Sequence, residues 1–178
     1  PQGALAMRSR LQRGQLLMGP LDSLDAAQDV FRSILTDTAE RRTRRGPGAV
    51  IRGDALLGLG ECALRVGDFA LADTTFSRIE EEAVQPTTTD QAAFERAEIL
   101  FYQGNFAEAE QAYYGLTDHY PNGKWVNDAL GRALLIGEFA RNAGQALTSY
   151  ANILYQRRVG SMTDALDACR ESIADTTT

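Results

Sequence analysis

Residues 53–82, GDALLGLGECALRVGDFALADTTFSRIEEE, and residues 90–121, DQAAFERAEILFYQGNFAEAEQAYYGLTDHYP, carry one pattern twice. In the first stretch Ala55, Leu56, Leu59, Ala63 and Val66 recur at steps of three and four up to Gly67-Asp68, which places them on one face of a helix that stops at the glycine. Phe69, Ala72, Phe76 and Ile79 repeat the spacing as a second helix. In the second stretch Phe94, Ala97 and Leu100 lead to Gly104-Asn105, and Phe106, Ala109, Tyr113 and Leu116 lead to Pro121. The turn glycines Gly67 and Gly104 are 37 residues apart, and a fixed period in the thirties made of two helices is the signature of stacked helical hairpins. Gly60, Ala97 and Gly131 fall at equivalent places on successive first helices, with Ala72 and Ala109 on second helices. The two helices of each hairpin are therefore expected to approach closely.

The pattern weakens outward. A third pair would place Leu130-Gly131 and Leu134 on its first helix and Ala146, Tyr150 and Ile153 on its second, and the extra residues between Phe139 and Ala146 predict a longer first helix. Toward the N-terminus Gly14, Leu17, Ala27, Phe31 and Ile34 fit a degenerate hairpin broken near Gly19-Pro20. Pro86 and Thr87-Thr88-Thr89-Asp90 supply breaker and caps between the first two repeats. Ser161-Met162-Thr163-Asp164 has the form of a capping box for a final helix over about 163–173. The expected organisation is one all-α domain over 1–178, with helix pairs at 4–36, 49–83, 90–120 and 124–157 and a terminal helix at 161–174.

Composition narrows the function classes. Of the residues 44% are hydrophobic and 24% charged, ordinary for a folded globular chain. A net charge of −6 argues against nucleic acid as a partner, because clustered Lys and Arg supply most of that affinity. No run approaches the length of a membrane span, and the opening PQGALAMRSRLQRGQLL lacks the form of a signal peptide. A start at Pro1 is read as a processed product or an excerpt. Cys62 and Cys169 have no zinc or disulfide spacing and are expected as small core residues.

Sites of chemistry are not readable. The glycine-rich 53–60 lacks the Gly-Lys-Ser or Gly-Lys-Thr ending that a phosphate loop needs. His119 is the only histidine and has no companion ligand, so no metal site is expected and its reading is a surface or capping residue. Glu80, Glu81 and Glu82 point in different directions on a helix and are read as a solvated helix end. No nucleophile has a visible base. No enzyme, cofactor or metal is expected. The one dense basic cluster, Arg41, Arg42, Arg44 and Arg45, reads either as a contact for an acidic partner or lipid headgroups or as a solvated linker.

The two central stretches resemble the tetratricopeptide repeat. Its pattern falls on Leu56, Leu59-Gly60, Ala63, Gly67-Asp68-Phe69, Ala72, Phe76 and Ile79, and again on Ala97, Leu100, Gly104-Asn105-Phe106, Ala109, Tyr113, Leu116 and Pro121, with Arg96 where Leu is usual. The resemblance implies an all-α right-handed solenoid of antiparallel helix hairpins, about three to four repeats plus a C-terminal helix. It also implies a non-catalytic scaffold that binds a partner protein or peptide, the alternative being a structural subunit packed permanently in a larger assembly. Carried over position by position, the concave groove falls on Asp54, Leu57, Glu61, Leu64 and Arg65, on Gln91, Phe94, Glu98, Phe101 and Tyr102, and on Trp125, Asp128, Arg132, Leu135 and Ile136. Tyr102 and Trp125 would be anchors flanking Glu98 and Arg132, or would pack between hairpins. Leu57, Glu61, Phe94 and Glu98 stand where chaperone-tail binders carry Lys and Asn, which disfavours that ligand. Tyr120-Pro121-Asn122-Gly123 leading to Asn127-Asp128-Ala129-Leu130 is similar to the inter-repeat phrase of bacterial envelope proteins, and tilts the expected compartment toward the periplasm or cell envelope.

Overall fold

The computed structural model describes residues 2–36, 46–82 and 85–175; Arg41, Arg42, Arg44 and Arg45 lie outside them. The described residues form nine helices and no strand: α1 (Gln2–Met18), α2 (Leu24–Thr36), α3 (Pro47–Arg65), α4 (Phe69–Glu82), α5 (Pro86–Tyr102), α6 (Phe106–His119), α7 (Val126–Phe139), α8 (Gly144–Val159) and α9 (Met162–Asp175). They fall into two compact units, residues 1–93 and 94–178.

The turns that end α3 and α5 are built alike. Gly67 and Gly104 adopt φ of 83° and 78°, the left-handed conformation that glycine takes without steric cost. That conformation lets the next amide fold back: Asp68 N–H donates to the Ala63 carbonyl at 2.9 Å and Asn105 N–H to the Leu100 carbonyl at 2.9 Å, satisfying carbonyls that a helix end leaves open. Asp68 then starts α4 by accepting the Leu71 N–H at 3.0 Å.

In the first unit α1 packs on α2, α2 on α3, α3 on α4, and α1 also on α3. The buried ring of Phe31, on α2, is held between two glycines. A Cβ at Gly14 of α1 or at Gly58 of α3 would fall 2.5 Å from it. Phe76 of α4 lies against Gly60 in the same way, so the close approach expected of Gly60 is met. Buried Arg52 donates to the Leu35 carbonyl at 3.2 Å and lies 3.6 Å from Glu82, joining the ends of α2, α3 and α4.

In the second unit α6 packs closely with α7 and α8 with α9, whereas α7 touches α8 only sparingly. Here the structure departs from the predicted third pair. α7 is 14 residues long, no longer than α6, and the extra residues form a turn over 140–143 closed by Ala143 N–H on the Phe139 carbonyl at 2.8 Å. Gly131, equivalent to Gly60, has nothing within 4 Å of the place a Cβ would take. Leu130 and Leu134 beside it are exposed, Leu134 to 64%, while Leu59 and Ala63 at the corresponding places on α3 are buried. α8 buries Leu147, Ala151 and Leu154 instead of the predicted Ala146 and Tyr150. The apolar spacing of both helices was readable; the neighbour that covers each face was not. At the start of α9 the Ser161 hydroxyl donates to the Asp164 carboxylate, and the Ser161 carbonyl accepts the Ala165 N–H at 2.9 Å.

The Phe31 seat gives a testable sign change. Gly58→Ala gains about 1 kcal/mol of helix propensity but overpacks the seat at about 1–3 kcal/mol, so the urea midpoint should fall. In a Phe31→Leu background, where the ring edge is gone, the same substitution should be neutral or raise the midpoint.

Candidate functional site

Residues three, four and seven apart share a helix face, so α5 presents two overlapping stripes, Phe94-Glu98-Phe101 and Gln91-Glu95-Glu98-Tyr102. Glu98 belongs to both and is 3% exposed. Its carboxylate accepts the Tyr113 hydroxyl of α6 at 2.5 Å, the Tyr102 hydroxyl at 2.7 Å and Nε of Arg132 of α7 at 2.8 Å. A buried carboxylate must be paired and hydrogen-bonded in this way or lose its charge.

Aromatic rings frame this node. Phe94 stacks on Trp125 with centroids 4.8 Å apart and meets the Tyr113 ring at 5.8 Å. The Arg132 guanidinium lies 5.3 Å over the Phe101 ring, and Lys124 lies 5.2 Å from the Trp125 ring, both cation–π contacts. Phe106 meets Phe101 edge to face at 5.5 Å.

Glu95, Phe101 and Tyr102 meet α8. Arg158 Nη2 pairs with buried Glu95 at 2.7 Å, the Tyr155 ring lies 5.4 Å from that of Tyr102, and Tyr150 approaches the edge of Phe101 at 6.4 Å. The face of α5 that the resemblance assigns to the groove is thus overlaid by a helix of the same chain.

Electrostatics follow from the geometry. Burial alone would raise the Glu98 carboxyl; the hydrogen bond and charge of Arg132, with the hydroxyls of Tyr113 and Tyr102, outweigh it and hold the group below the usual carboxylate range. Burial first, then the Glu98 charge, pushes the Tyr102 and Tyr113 phenols up, so both stay protonated donors. Burial opposes the charge of Arg132, yet its bond to Glu98 raises it further above its ordinary value.

Among the predicted contact residues, Phe94, Glu98 and Phe101 are buried, Tyr102, Trp125 and Arg132 half-buried, and Asp128 exposed. Tyr102 and Trp125 both pack against neighbouring helices, one of the two roles their sequence left open. Gln91, in the first unit, is half-buried. So are Asp54, Leu57 and Glu61 on α3, and burial raises the Asp54 carboxyl. Arg65 serves the fold: it donates to the Met18 carbonyl at 2.7 Å and pairs with Asp22 at 2.6 Å, fixing the turn after α1. Leu64 is buried in the same helix, and Ile136 in α7. Sequence reading missed Glu95, Tyr155 and Arg158, because no helical period links α5 to α8.

Among the described residues no group of three or more His, Cys, Asp or Glu is placed to hold a metal ion, and no helix is long and apolar enough to cross a membrane. Cys62 is buried, and burial, then the charge of Glu61, pushes its thiol up to about 11. His119 is exposed, with Nδ1 2.7 Å from the Gly115 carbonyl near the end of α6.

Paired helices repeated along the chain, with left-handed glycines at their turns, define a helical-hairpin repeat protein. Residues 91–123 match the family model described as Tetratricopeptide repeat, so α5 from Gln91, α6 and the turn through Pro121 form a tetratricopeptide repeat. No curated protein and no solved structure matches the chain. Repeats of this family typically mediate protein–protein interaction without catalysis.

Loss of the Glu98 charge should be costly. Glu98→Gln leaves Arg132 without its counter-ion, a change worth about 3–5 kcal/mol for a buried pair. Because the folded carboxyl sits below its ordinary value of 4.5, its contribution is complete above that pH and lost as pH falls through the folded value. Urea midpoints measured from pH 7 down to pH 3 should therefore drop more steeply for the unaltered chain than for Glu98→Gln.

Proposed function

We propose that this chain is a non-catalytic scaffold that binds a helical segment of a partner protein through the groove face of its first helices, centred in the second unit on α5 and α7. One observation carries the reading: the α5 face already receives a helix, α8, through an ion pair and ring contacts. A surface that seats one helix has the shape and chemistry to seat another. The tetratricopeptide match over residues 91–123 supports protein as the class of ligand. Asp54, Leu57 and Glu61 supply a further half-buried face on α3 within the first unit. The phrase around Tyr120-Pro121 favours a bacterial envelope setting.

Exposed apolar side chains favour a second reading. Met162, Leu166 and Ile173 line one side of α9, and Leu130 and Leu134 one side of α7, surfaces that a permanent neighbour in a larger assembly would cover.

Two measurements separate the readings. As a reversible scaffold the purified chain should scatter light as a monomer at micromolar concentration, whereas a subunit deprived of its neighbours should form larger species. With the chain as bait in a lysate of its source, a protein retained by the unaltered chain should be lost on Asp128→Arg with Trp125→Ala. Identical capture by both would remove the groove from the reading.

A further inference from the structure

We infer that α8 is a two-position element that occupies the α5 groove face in place of a partner helix and can return to a regular hairpin with α7. The inference deepens the proposed function and rests on it. Three observations within the second unit lead to it.

The first is the vacated hairpin face. In α3 the sequence Leu59-Gly60…Ala63 is buried, and the Phe76 ring of α4 sits on Gly60. In α7 the matching Leu130-Gly131…Leu134 is exposed, with open space over Gly131. The matching ring on α8, Tyr150, lies instead 6.4 Å from Phe101 of α5 and is 37% exposed. α7 therefore keeps the sequence of a hairpin partner without its occupant.

The second is that α8 carries two apolar stripes about 100° apart, as the 3.6-residue period dictates. Leu147, Ala151 and Leu154 are buried here, and Arg158 continues that stripe to Glu95. Ala146, Tyr150 and Ile153 repeat the spacing of Ala72, Phe76 and Ile79, the residues α4 turns toward α3. The turn over 140–143 connects α7 to α8, which otherwise touch only sparingly, and a change of conformation there exchanges one stripe for the other.

The third is the chemistry of the seat. Glu95 and Glu98 are buried acids, and the cations that neutralise them, Arg158 and Arg132, come from α8 and α7. Removing α8 would leave Glu95 without Arg158 and Tyr102 without Tyr155, a face ready for an amphipathic partner helix that brings an Arg and an aromatic residue in the register of α8. Such a helix competes with α8, and its affinity is reduced by the fraction of chains in which α8 is seated.

The test uses the whole chain and a fluorescent synthetic peptide with the sequence of residues 144–160. Tyr155→Ala with Arg158→Glu removes the ring contact and sets a carboxylate against Glu95, so α8 should leave the groove. We expect this variant, if its helicity is unchanged, to bind the peptide at least tenfold more tightly than the unaltered chain, and a peptide with Glu at the place of Arg158 not to bind. Equal binding by variant and unaltered chain would overturn the two-position element while leaving the groove a helix site. No binding by the variant would sink the groove reading itself, and the inference with it. A second measurement needs no variant: amide hydrogen exchange on the unaltered chain should show α8 exchanging at least tenfold faster than α5 and α6, whereas equal protection would make α8 a fixed part of the fold.

Discussion

The second unit depends on one buried carboxylate. Glu98 lies among aromatic rings where an unpaired charge is untenable, so three helices must each place a donor: α5 its own Tyr102, α6 Tyr113, α7 Arg132. The requirement is geometric as well as energetic. An N–H or O–H must reach 2.5–2.8 Å from an oxygen whose position is set by the α5 backbone, which fixes how α6 and α7 rotate about their axes. A purely apolar contact would tolerate sliding along the helix; this node does not. The Arg132 plane over Phe101 and the Trp125 ring on Phe94 extend the same constraint along the helix.

The first unit fixes its aromatic rings through glycines. Phe31 is pinned by absence of side chains at Gly14 and Gly58, and Phe76 by the absence at Gly60. Ionic ties are left to the helix ends, where Arg52 and Arg65 bind carbonyls that α2 and α1 cannot satisfy internally. Two means of fixing helix rotation thus coexist in one chain: a ring in a glycine seat, and a carboxylate in a cage of donors.

Sequence reading reached what depends on spacing and fell short where it depends on a choice of neighbour. Gly67-Asp68 and Gly104-Asn105 announced the hairpin turns because a left-handed C-terminal residue is a local requirement with a nearly fixed residue type. Gly60 announced its close contact for the same reason. Gly131 carried an identical signal and misled, since a glycine permits a close approach without enforcing one. On α5, periodicity gives which residues share a side, not what lies opposite. Glu95 with Arg158 joins two helices with two others between them in the chain, and no local pattern encodes that pair.

The misleading signal in α7 and α8 is itself informative. A sequence that specifies one arrangement has its local preferences and its tertiary contacts in agreement. Leu130, Gly131 and Leu134 disagree with their surroundings: two large apolar side chains and a glycine suited to helix contact face water. On α8, Ala146 is exposed and Tyr150, 37% exposed, meets only the edge of Phe101, while Leu147 and Leu154 are buried, so the helix carries a second apolar stripe beside the buried one. What holds α8 on α5 is the Arg158–Glu95 pair together with the ring contacts of Tyr155 with Tyr102 and of Tyr150 with Phe101. Regular hairpin packing and seating on α5 therefore oppose each other on one helix. Such opposition is the physical condition for an element with two positions, because a competing ligand has only to supply the contacts to α5 for the hairpin to take back its helix.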